Sequence, residues 1–61
     1  MSQNTINGLL RDAMQSILDG RPGMARQFMN TAVNAAMFDQ SIPLSRVEAI
    51  HRAARAVSAL V

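Results

Sequence analysis

Apolar positions recur along this chain at spacings of three and four, in three blocks separated by breaks of glycine, proline and short polar residues. At about 100° per residue, such spacing gathers each block's apolar side chains on one face of an α-helix. In the first block Ile6, Leu9, Leu10, Ala13, Met14, Ile17 and Leu18 share a face, with Arg11, Asp12, Gln15, Ser16 and Asp19 opposite. Asn4 or Thr5 is placed to cap the helix start. The pattern therefore predicts a helix over about 5–19, preceded by fraying in residues 1–4. Gly20 follows as the residue best able to take the left-handed conformation that ends a helix.

The second block, 22–38, is the longest and holds both phenylalanines. Pro22 suits a first helical position, where a missing N–H has no intrahelical partner to lose. Met24, Ala25, Phe28, Met29, Ala32, Val33, Ala35 and Ala36 cover about half the cylinder, and Arg26, Gln27, Asn30, Thr31 and Asn34 cover the rest. A helix with one neighbour needs an apolar stripe only a little over 100° wide. The wider arc here predicts two neighbours. The link at 20–23 is short enough to return the second helix antiparallel to the first, as a helical hairpin.

Residues 39–44 show no period, and Pro43 disfavours a helical Ile42. Ser45, Arg46, Val47 and Glu48 then match a capping box, with Leu44 and Ala49 placed as a hydrophobic staple. A third helix is expected over about 46–60. Val47, Ala49, Ile50, Ala53, Ala54, Val57, Leu60 and Val61 form its apolar side, and Glu48, His51, Arg52, Arg55 and Ser58 its polar side. The whole chain, 1–61, reads as one all-α domain: a helical hairpin plus a third helix.

Composition changes this picture in one respect. Nearly half the chain is apolar, at 49%, yet ten of those residues are alanine and only two are aromatic. Domains below about 70–80 residues rarely draw more than a few kcal/mol from a single core. With no cysteine, neither a disulfide nor a thiolate metal site can help. Half-cylinder apolar faces on three short helices exceed what one small core hides, so completion by self-association is expected. Neither a cleavable leader nor a membrane span is legible in the sequence, and a cytoplasmic location is the expectation.

The net charge is +2, and all six basic residues are arginine. Three candidate surfaces follow. Arg21, Gly23 and Arg26 flank the start of the second helix, where free N–H groups favour an anion. A plain turn with two solvated arginines is the commoner arrangement there. Arg46, Arg52 and Arg55 give the third helix a basic face that could meet DNA, although it lacks the Asn or Gln that pairs with adenine. Met24, Phe28, Met37 and Phe38 are candidates for an interface, with Met37 and Phe38 falling on the polar side of their helix. No catalytic residue, cofactor site or metal site is expected, because the single histidine, His51, has only Glu48 as an acid on its face.

These features point to a non-enzymatic, homo-oligomeric helical protein that binds a protein partner stoichiometrically, as a regulator, inhibitor or adaptor. In size and style the chain resembles the small regulatory proteins of bacteria and phages. Two alternatives remain open from the sequence: a binder of an anionic small ligand such as a nucleotide, and a dimeric DNA-binding regulator using the third helix.

Overall fold

A computed structural model describes residues 3–60. They form three helices, α1 (Gln3–Leu18), α2 (Pro22–Phe38) and α3 (Leu44–Ser58). No described residue lies in a strand. No helix is long and apolar enough to cross a membrane among the described residues.

The first turn-around follows the sequence closely. Gly20 has φ of 75°, a conformation that costs residues with a Cβ roughly 1–2 kcal/mol. Its N–H donates to the Ile17 carbonyl at 3.0 Å, and the Arg21 N–H donates to Ser16 at 2.8 Å. Those two bonds are the Schellman pattern, and they occupy carbonyls that the helix end leaves free. Pro22 then opens α2, with Arg21 in the cap position and no side-chain cap bond.

Both outer helix boundaries lie earlier than their patterns suggest. Helix α1 already includes Gln3 and Asn4, so neither Asn4 nor Thr5 is its cap. Of the expected fraying over residues 1–4, the first two residues lie outside the described chain, as does Val61 at the other end. Helix α3 begins at Leu44 and not at Arg46. The capping box does not form. Pro43 takes the cap position with φ −60° and ψ 145°, and no side chain caps the helix. Its carbonyl accepts the N–H groups of Arg46 and Val47 at 3.0 and 3.1 Å. Proline's fixed φ and the burial of Ile42 just before it set where the chain enters the helix. Ser45 is thereby drawn into the first turn, while Leu44 and Ala49 stay exposed and make no staple.

Helix α2 packs against both α1 and α3, whereas α1 and α3 share no close backbone contact among the described residues. The predicted two neighbours are thus present. Asn7 meets Arg46 near the helix starts and Ile17 lies with Val57 near the ends, so α1 and α3 run parallel along α2, within a backbone envelope of 33 × 19 × 13 Å. The buried apolar residues are Ile6, Ala13, Ala25, Met29, Ala32, Ala36, Ile42, Ile50 and Val57, and Ile6 is the largest side chain wholly withdrawn from solvent. Phe28, Val33 and Ala35 are half-buried against this cluster.

On α1 the buried face is turned away from its expected centre. Ser16, read as polar surface, is buried, and its Oγ–H donates to the Asp12 carbonyl at 2.8 Å. That bond satisfies the hydroxyl within its own helix, so serine can serve as a small side chain against α2. The turn leaves Met14 and Leu18 exposed at 63% and 74%.

Candidate functional site

Between α1 and α3, which share no close backbone contact among the described residues, an open seam remains, and α2 forms its floor. Leu10, Ala13, Met14 and Ile17 line one wall, Ala53 and Val57 the other, and Met29 the bottom of a cleft of about 300 Å³. Towards the helix starts the lining continues through Leu10, Arg46, Ala49, Ile50 and Ala53. Every side chain there is apolar except Arg46. The guanidinium of Arg46, through Nη2, donates to Asn7 Oδ1 and so ties the start of α3 to the start of α1. The bond closes one end of the seam.

The seam holds residues the sequence reading passed over as ordinary core. Its signal was present in the size of the side chains. Beyond buried Ile6 and half-buried Leu9, the large residues of α1 are Leu10, Met14, Ile17 and Leu18, and the stretch opposite alanine-rich α2 needs small ones. Ala13 and Ser16 fill that role, so the large residues are left beside it.

The three surfaces expected from sequence fare differently. Arg21, Gly23 and Arg26 are exposed at the start of α2. Arg21 is folded onto Met24, with its Nη1 donating to Sδ at 4.0 Å.

The expected basic face of α3 is divided. Arg55 follows Arg46 by nine residues, which at about 100° each puts it on the opposite side of the helix. Arg46 is half-buried towards α1, while Arg52 and Arg55 are exposed on the outer face. There they line a shallow surface with Glu48 and His51. The arginine that could have extended a DNA-facing stripe is instead spent on Asn7. No three acidic or histidine side chains gather as a metal site would need among the described residues.

The apolar candidates separate as well. Phe28 is half-buried and packs with the intrachain core, so it belongs mainly to the fold. Met24 is 42% exposed. Met37 joins Ala36, Ile42, Leu44, Val47 and His51 along a second, open cleft between α2 and α3. Phe38, by contrast, is 85% exposed at the end of α2. It follows buried Met29 by nine residues and therefore projects from the side of α2 away from the seam.

The link between α2 and α3 is held by a turn built on Asp39. Asp39 Oδ1 accepts the Ser41 hydroxyl at 2.6 Å and the Ser41 N–H at 2.9 Å. The hydroxyl bond first, and the backbone bond second, hold the Asp39 carboxyl below the usual aspartate range. This turn delivers buried Ile42 to the core. Comparison of the chain with known protein families, curated proteins and solved structures gives no match.

Proposed function

We propose that this chain is a non-enzymatic, homo-oligomeric helical protein that acts by binding a protein partner stoichiometrically, as a regulator, inhibitor or adaptor. The observation that carries the reading is the presence of apolar surface on two opposite sides. The seam opens on one side, with exposed Met14 on its wall, and Phe38 stands on the other. One flat contact cannot cover both. Self-association accounts for the first and a partner for the second.

The seam suits protein side chains better than a small ligand. Ligand pockets of about 300–1,000 Å³ orient their contents with a few convergent polar groups, and the deep part of this cleft has none. An exposed aromatic is also the kind of anchor on which binding energy concentrates.

Affinity capture from the native host tests the partner half of the reading. Wild-type chain should retain a partner at a fixed ratio, Phe38→Asp should lose it, and Arg52→Ala with Arg55→Ala should keep it. Loss only in the arginine pair would transfer the working surface to the outer face of α3 and favour nucleic acid. Loss only with Arg21→Ala and Arg26→Ala would favour an anionic ligand at the start of α2.

A further inference from the structure

The seam is electrically one-sided. At its closed end lie the starts of two parallel helices, and neither α1 nor α3 has an acidic residue in its first turn. Two positive dipole ends and Arg46 therefore sit together. Arg46 makes its hydrogen bond to a neutral amide, Asn7. Asp39, on the nearby link, already accepts from Ser41. The other end of α1 is the reverse. It has no basic residue in its last turn, and Arg55 in the last turn of α3 lies on the outer face with His51 and Arg52. Asp19, just past the end of α1, has an exposed carboxylate that accepts from Gln15 at 3.0 Å. Arg21 beyond it is turned onto Met24.

We propose that the seam is filled by α1 of a second copy, lying antiparallel to the first α1 across a two-fold axis near Met14. This rests on the self-association reading above and specifies its surface. In that arrangement Leu10, Met14 and Ile17 act twice. They wall one copy's seam and, with exposed Leu18, form the ridge that enters the other's. The negative C-terminal end of each α1 then meets the positive end of the other copy's seam, which brings Asp19 beside Arg46 twice per dimer. A two-fold contact requires such self-complementarity, because the same patch serves on both sides.

The exposed side chains agree, because Met14, Leu18 and Leu60 leave large apolar surface uncovered.

Two charge reversals test the pairing, and circular dichroism checks that Arg46→Glu, which also gives up the bond to Asn7, keeps its helices. Asp19→Arg puts a cation at a helix C-terminus and Arg46→Glu puts an anion at a helix N-terminus, both favourable placements. Each variant alone sets like charges together at two places in the dimer and should weaken dimerisation roughly 10- to 100-fold. Mixed together, the two variants should recover a heterodimer of near wild-type affinity. The two reversed side chains then face each other with opposite charge at one contact, and the native Asp19 and Arg46 pair at the other. Sedimentation equilibrium with one variant fluorescently labelled reads both effects. Single variants that dimerise like wild type, or a mixture no tighter than either alone, would overturn the seam pairing while leaving self-association intact. A wild-type chain that remains monomeric at millimolar concentration would remove both.

Discussion

Between α1 and α2 small side chains predominate beside buried Ile6 and Met29 and the contact is closed; between α1 and α3 large side chains of α1 face a wall that is mostly small and the contact is open. Ala13 and Ser16 meet a face built on Ala25, Ala32 and Ala36. Small residues let the helices approach, but each withdraws little area, and burial stabilises by only about 25 cal/mol per Å². Leu10, Met14 and Ile17 have the area, yet they line a seam still open to water. The hairpin thus fixes the geometry of the molecule, and the seam holds the unused part of its apolar surface. A small chain can in this way fold into shape first and draw further stability from a second copy.

Truncation on each side should separate the two regions. Ile6→Ala removes the largest wholly buried side chain and should cost about 2–5 kcal/mol. Its melting midpoint should fall at every protein concentration. Met14→Ala should lower the midpoint only where dimer is populated, because a bound partner stabilises by mass action. Equal, concentration-independent shifts in the two variants would place Met14 in the intrachain core instead.

Enlargement gives the next contrast. Ala32→Leu adds bulk at a fully buried position and should cost about 1–3 kcal/mol through overpacking. The same change at exposed Ala53, on the seam wall, should stay within about 0.5 kcal/mol in the monomer. Denaturant midpoints measured in dilute solution compare them directly.

These contrasts also mark what the amino-acid pattern could reveal. The hairpin was legible because Gly20 and Pro22 each dictate backbone geometry locally, and the half-cylinder arc of α2 announced two neighbours. The seam was not legible, because periodicity reports which residues are apolar and says nothing of which neighbour stands close enough to cover them. Ser16 was misread for the complementary reason: a hydroxyl bonded within its own helix behaves as a small residue. Ile42 sits in a stretch without period, where only tertiary packing shows it buried. Of the candidate site residues, Met37 and Phe38 lie exposed as their position on α2 implied. The grouping of Arg46 with Arg52 and Arg55 failed on helix geometry.

The third-helix start offers a smaller effect with a decisive sign. Ser45 lies within the first turn of α3 and caps nothing, so Ser45→Ala should be neutral or stabilise by up to about 0.5 kcal/mol. A loss of about 1 kcal/mol in chemical denaturation would restore the capping role.

The smallest expected effect belongs to Asp39. Its folded carboxyl titrates below the usual range because it accepts two bonds from Ser41. Its contribution is therefore complete above the unfolded value of about 3.9, and it fades as pH falls through the lower folded value. An NMR titration should give Asp39 a midpoint below that unfolded value, and Ser41→Ala should raise it. A midpoint unmoved by Ser41→Ala would mean that the turn does not hold the carboxylate.

Sedimentation equilibrium of the wild-type chain over a wide concentration range tests the open seam most directly. A covered seam requires a reversible rise from 6.6 kDa to twice that mass, and Met14→Glu should abolish the rise while the chain stays helical. A mass of 6.6 kDa at every concentration, with a cooperative melt, would show that one copy closes its own core and that the seam needs no second copy.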